Sequence, residues 1–233
     1  MKKRFITLFF TLISVNINCC DPEDLDKPSD LEKAKSCDGK VCDLRGAYLR
    51  KADLRGMDLS RVNLEGANLN YTNLSDAKLR NLKGADLFEA NLYQADLYGA
   101  NLSRANLKRA FLVGAYLSGA DLSDAYLWQA RLSSAFLSGS NLERANLREA
   151  NLERATLSRS NLNGADLAFA NLHSADLSYA KLNSANLRDA NLTNADLNSA
   201  VLYATKLESA NLQGADLTYA WINGKQRLPV DPW

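Results

Sequence analysis

The stretch "ANLREANLERATLSRSNLNGADL", residues 145–167, places a leucine at every fifth position and a small residue two places before each leucine. A single α-helix cannot use that spacing. Five steps of about 100° rotate by roughly 140°, so the leucines would spiral round all sides and bury nowhere. A flat strand fails as well, because an odd spacing sends successive leucines to opposite faces. The chain must instead turn a corner once per five residues and return the same side chain to the interior each time. Four corners close a square coil of 20 residues, and such coils stack through backbone hydrogen bonds about 4.8 Å apart.

The same beat extends in both directions. Leucine falls at every fifth position from Leu44 to Leu79, and again from Leu87 to Leu217, ending on Ile222. These are 36 centres, and the residue two before each is Ala in 29 of them. The other seven are Cys42, Met57, Val62, Thr72, Ser140, Ser160 and Thr205. Four such residues converge in each layer, so they must be compact. Asp or Asn usually precedes the leucine and, with the two residues after it, faces outward or shapes the turn. The beat breaks at "LRNLKG", residues 79–84, where Arg80 violates the small-residue rule. This reads as three residues inserted as a corner bulge (80–84) within one continuous stack. Nine coils would stand about 40 Å tall.

Repeats such as "ADLYGANLSRANLKRA" make residues 42–224 resemble the pentapeptide-repeat family, with its A(D/N)LXX consensus. The resemblance implies an all-β fold, a right-handed quadrilateral β-helix of about nine coils. The functional reading is a non-enzymatic, rigid display scaffold that recognises a protein or envelope partner. Some family members resemble duplex DNA and bind topoisomerase, but that mimicry needs an acidic face.

Residues 1–19 read as a targeting segment. Lys2, Lys3 and Arg4 precede "FITLFFTLISV", an apolar run of signal-peptide length and too short to span a membrane. "NINCC" then resembles the lipobox of bacterial lipoproteins, with Cys20 as the acylated residue and Cys19 as the alternative. A secreted protein with two incidental cysteines is the competing reading. Lipidation implies membrane attachment through the N-terminus and a place in the bacterial cell envelope. Residues 20–41 form a polar tether, in which "SDLE" (29–32) has capping-box spacing for a short helix. Residues 225–233 form a C-terminal tail, with Trp233 or Pro229 as a lid for the last coil.

The chain has 28 Lys and Arg against 27 Asp and Glu. Without residues 1–19 the balance is 25 against 27, or −2. So weak a net charge argues against nucleic acid as a partner and against DNA mimicry. No Cys/His spacing matches a metal site, and no glycine loop is placed to cradle phosphate. "SYAK" (178–181) matches a serine–lysine motif only because repeat positions fall that way, and the lone His173 has no partner histidine. No cofactor and no enzymatic activity are expected.

Two features invite a role. Cys37 and Cys42 flank the entrance to the first coil, where a disulfide would staple the cap and a buried free thiol is the alternative. Phe111, Tyr116, Tyr126 and Phe136 replace the usual Asp or Asn, with Trp128 nearby, and form a candidate partner patch. Lys108, Trp128 and Arg148 are 20 apart and would stack as cation, aromatic and cation. The bland alternative is a structural spacer whose aromatics only decorate a β surface.

Overall fold

In the computed structural model of the chain, residues 28–222 and the backbone of residues 225–226 are described. The signal segment, Cys19, Cys20 and the proposed lid residues Pro229 and Trp233 lie outside them. Helix α1 (Pro28–Ser36) leads into β1 (Cys42–Asp43), which pairs in parallel with β2 (Asp58–Asn63) and that with β3 (Lys78–Asn81). At the other end β4 (Val201–Leu202) pairs in parallel with β5 (Trp221–Ile222), and β6 (Lys225–Gln226) pairs antiparallel with β5. Between these short strands the chain is held by parallel bridges, such as Asn91↔Phe111, Phe111↔Arg131 and Arg131↔Asn151, each 20 residues apart. Four leucines fall within each such interval, and each marks one side of the coil. Taking coil 102–117 as reference, Leu102, Leu107, Leu112 and Leu117 mark the first to fourth sides.

Leucine and the small residue fill the shaft. Leu87 through Leu202 are buried at every centre, as are the alanines two before them. Burial of each leucine contributes about 1.5–3 kcal/mol, and a coil reaches it only when covered above and below. At the C-terminal end Leu207, Ala210, Leu212 and Ala215 are accordingly only partly buried.

One repeat shows how the backbone is satisfied. The Asn146 N–H donates to the Ala125 carbonyl in the coil before, and the Leu147 N–H donates to the Asp166 carbonyl in the coil after. The Glu149 N–H donates to the Ala168 carbonyl, and the Ala150 N–H closes a turn onto the Leu147 carbonyl at 3.0 Å. The fifth donor, the Arg148 N–H, is taken by the side chain of Asn146, whose Oδ1 accepts it at 3.1 Å. That bond is why Asp or Asn precedes the leucine: a short carbonyl side chain caps the corner from outside. The second corner residue has a left-handed φ, between +52° and +71°, in every described repeat with two corner residues except Ser60–Arg61. This is the signature of a type II turn.

The interruption is a contraction, which corrects the expected insertion. Leu82 is fully buried and is a further centre. Its N–H donates to the Asn101 carbonyl, while Asn101 donates to the Arg80 carbonyl as it would to an alanine. Asn63 and Asn68 bridge to Asn81 and Asp86, 18 residues on. Two corner residues are therefore missing between Leu79 and Arg80, so that side is three residues long. Arg80 points its guanidinium along the closed corner, donating to the carbonyls of Leu79 and Asp96 and to Asp96 Oδ2 at 3.0 Å. In the coil before, β2 runs straight through Ser60 and Arg61 without a left-handed residue.

Helix α1 covers the open start of the stack. Ala34 and Cys37 are fully buried against the first coil. Asp30 Oδ2 accepts the Tyr48 N–H at 2.9 Å, and Asp38 Oδ1 accepts the Asp58 N–H at 2.8 Å. The cap thus supplies acceptors that a preceding coil would have offered. Cys37 and Cys42 are joined by a disulfide, with Cα atoms 5.8 Å apart. Among the described residues, no helix is long and apolar enough to cross a membrane.

Candidate interaction surface

Outside the shaft, the residue before each leucine forms one column per side. On the third side that column reads Asp53, Asn73, Asn91, Phe111, Arg131, Asn151, Asn171, Asn191 and Asn211. The asparagines build a ladder: Asn171 Nδ2 donates to Asn151 Oδ1 at 3.2 Å, and Asn191 to Asn171 at 3.1 Å. All but the exposed Asn211 are half-buried, and they serve the corner rather than simply facing solvent. Phe111 and Arg131 break this ladder, and on the fourth side Tyr116 and Phe136 stand between Asp96 and Thr156.

The structure brings some of the candidate patch together and separates the rest. Tyr116 and Phe136 stack in parallel, ring centroids 5.1 Å apart and 4° between planes, with 48% and 41% exposure. Round the corner on the third side, Phe111 stacks on Tyr93 at 6.0 Å, and Arg131 lies over the Phe111 ring at 4.8 Å. Val113 and Gly114 form the corner between them. Trp128 lies on the other edge of the third side, where its indole and the Gln129 amide serve Glu149. The amide first, then the indole, hold that carboxyl below its ordinary range against the opposing effect of burial. Tyr126 does not belong to the patch: it stands on the second side, two corners from Tyr116, under the Lys108 ammonium at 5.3 Å. The expected Lys108–Trp128–Arg148 stack is also absent, because Lys108 turns to Tyr126 and Arg148 lies over Phe169 at 4.6 Å.

These aromatics displace a backbone cap. Phe and Tyr have no carbonyl side chain, so the N–H groups of Val113, Ser118, Trp128 and Ser138 have no acceptor from their own repeat. The N–H of Ser123, between them, is still accepted by Asp121 Oδ1 at 3.1 Å. An exposed ring in place of a useful hydrogen bond is a loss for the fold alone.

The patch sits in a cationic segment. Residues 100–160 hold eight Lys and Arg against five Asp and Glu, whereas residues 161–222 hold three against six. Sequence reading overlooked this polarity because the totals cancel. It also overlooked Arg131, whose position 20 residues after Phe111 was the available signal. Arg131, Arg109, Phe111, Gln129 and Glu89 line a shallow groove of about 320 Å³. Arg109 is held by Glu89 at 2.7 Å, while Arg131 has no carboxylate within salt-bridge distance among the described residues. No group of His, Cys, Asp and Glu among them is placed to hold a metal ion.

Comparison with known proteins agrees with this architecture. The pentapeptide-repeat model matches residues 42–81, 85–124, 120–159, 150–189 and 185–220. Similar solved structures include HetL, a pentapeptide-repeat protein involved in heterocyst differentiation regulation in the cyanobacterium Nostoc sp. It is 34% identical over 80% of this chain and 87% of its own, with a TM-score of 0.45. QnrB1, a plasmid-mediated fluoroquinolone resistance protein, is 21% identical over 75% of this chain and 86% of its own, with a TM-score of 0.52. No curated protein sequence matches the chain. With repeat matches across most of its length and the five-residue corner in every coil, the chain belongs to the pentapeptide-repeat family, whose fold is a right-handed quadrilateral β-helix.

Proposed function

We propose that this protein is a non-enzymatic, rigid display shaft of about nine coils, exported to the bacterial cell envelope and tethered there by lipid on Cys20. It presents the Tyr93–Phe111–Val113–Tyr116–Phe136 surface to a protein partner. The observation that carries this reading is the run of corner caps given up for rings on two adjoining sides, half-buried at Phe111 and exposed at Tyr116 and Phe136. A rigid backbone helps such recognition, since no loop has to be ordered on binding. The partner surface is concentrated on aromatic anchors, the residue types that dominate binding energetics.

The test is crosslinking in the native cell with the wild type and with a Tyr116→Asn/Phe136→Asn variant. Asparagine restores the family's own corner cap, so the shaft stays folded and a specific crosslinked partner is lost. Equal capture of the partner by both proteins would retire the aromatic surface, and no specific crosslink to the wild type would favour a structural spacer. The tether is tested separately: labelled fatty acid is incorporated at Cys20 and is absent from Cys20→Ser. A full-length cytoplasmic chain would argue for an intracellular partner, the setting of the family's topoisomerase-binding members.

A further inference from the structure

We propose that the Arg131 groove receives a carboxylate of the partner, an aspartyl or glutamyl side chain on a peptide segment lying along the third side. This deepens the reading above, because it assumes a protein partner and names the chemistry that it brings.

The repeat itself indicates the ligand. Along the third side, the N–H that follows each leucine is accepted by a side-chain oxygen just outside the shaft. Asn91 Oδ1 accepts Tyr93 N–H at 3.0 Å and Asn151 Oδ1 accepts Glu153 N–H at 3.1 Å. Asn73, Asn171, Asn191 and Asn211 do the same for Ser75, His173, Thr193 and Gln213. Only at Phe111 and Arg131 does the column provide no oxygen. The N–H groups of Val113 and Ser133 are left as outward donors one coil apart, about 4.8 Å. The column offers no carbonyl or carboxylate oxygen to these donors, and the Arg131 guanidinium lies over the Phe111 ring of the coil before.

Arg131 is suited to fill that role. Its guanidinium lies 4.8 Å from the Phe111 ring, which orients the plane and leaves its N–H edges for a ligand. It is exposed, and no carboxylate among the described residues pairs with it. A carboxylate that binds Arg131 and accepts the Ser133 N–H would satisfy both with its two oxygens. The groove does not suit a phosphate dianion. Its second cation, Arg109, is already neutralised by Glu89 at 2.7 Å, and that carboxylate would repel a second negative charge. The surrounding coils carry the excess of cations needed to attract an acidic segment.

The test is a titration of the isotope-labelled protein with acetyl-Glu-Phe-Glu-amide, following the Ser133 amide and the Arg131 Nε–H by NMR. The glutaminyl peptide acetyl-Gln-Phe-Gln-amide and a phosphoseryl peptide serve as controls. The expected result is saturable shifts of those two signals, with the glutamyl peptide at least about tenfold tighter than the glutaminyl one. Arg131→Asn returns an Oδ1 to the Ser133 N–H, so the spectrum elsewhere is unchanged while the preference disappears. Equal binding of the glutaminyl peptide, retained preference in Arg131→Asn, or tighter binding of the phosphoseryl peptide would each overturn the proposal. The aromatic stack is read by crosslinking alone. A failed titration with crosslinking intact therefore removes the carboxylate site and leaves the stack, and the opposite result does the reverse.

Discussion

Leu112 and Leu117 sit in the shaft as Leu152 and Leu157 do, all of them buried, while the side chains just outside have little in common. Along the third side through residues 151–191 the exterior is an asparagine ladder that closes that side's corners and links coil to coil. Around residues 111–136 it is Phe111, Tyr116, Arg131 and Phe136, which close no corner. The interior of the two regions follows one rule and the exterior two. The leucine column fixes the fold without regard to what lies outside, so departures on the surface are where selection for another purpose can register.

The first way to break that comparison is to attack the shared interior. Leu147→Lys and Leu112→Lys each place an ammonium in a closed apolar shaft with no partner. Each is expected to cost several kcal/mol and to abolish the cooperative melt of that segment. Circular dichroism and chemical denaturation check this. If the change at Leu112 were tolerated while that at Leu147 unfolds the protein, the interior would differ between the regions and the comparison would fail.

A second, smaller effect comes from two stacked serines in alanine positions. Ser140 donates its hydroxyl to the Leu137 carbonyl at 2.7 Å, whereas the buried Ser160 hydroxyl has no partner. Ser160→Ala should stabilise the protein by about 1 kcal/mol, while Ser140→Ala should be close to neutral or slightly destabilising. Denaturant midpoints decide it, and equal gains at both would show that the Ser140 hydrogen bond contributes nothing to stability.

The sequence made the shaft legible because a period of five has one geometric solution, but it hid much of the surface. Phe111, Tyr116, Tyr126 and Phe136 are close in sequence, yet each five-residue step moves to the next side, so Tyr126 ends far from Tyr116. Only residues a coil apart become neighbours, as Phe111 and Arg131 do. The short side at Leu79–Leu82 was obscured by Arg80, which has an alanine's backbone place and none of its size. The surviving Asn81–Leu82 pair was the signal. The left-handed corner residue also left a trace. It is never Val, Ile or Thr in the described repeats, although Val113, Thr193 and Thr218 stand one place earlier. β-branched side chains resist that φ.

A third prediction sharpens the comparison on the exterior. Tyr116→Asn with Phe136→Asn exchanges a ring stack worth about 0.5–1.5 kcal/mol for two corner caps worth about 1 kcal/mol each. Stability should rise by about 0.5–1.5 kcal/mol. A loss of several kcal/mol would mean that the rings are structural and would return them to the spacer reading.

The smallest effect separates ionic contacts from amide ones. Amide ladders such as Asn151–Asn171–Asn191 do not titrate, whereas Arg144 holds Asp124 of the preceding coil through two bonds, at 2.8 and 3.0 Å. The Arg144 hydrogen bonds keep the Asp124 carboxyl below its ordinary range, and the Arg45 guanidinium lowers that of Asp43 to about 2. A carboxyl lowered in the folded state stabilises it above the unfolded pKa, and that contribution is lost as pH falls through the folded pKa. For Asp43 the window runs from about 4 down to about 2. The thermal midpoint should therefore stay level from neutral pH to about 5 and decline below about 4, by a few degrees because these pairs are exposed. Asp124→Asn should shallow that decline slightly, and Asn171→Ala should leave its pH dependence unchanged while lowering the midpoint throughout. A midpoint that rises on acidification would mean that repulsion among carboxylates, rather than their pairing with arginine, governs the outer surface.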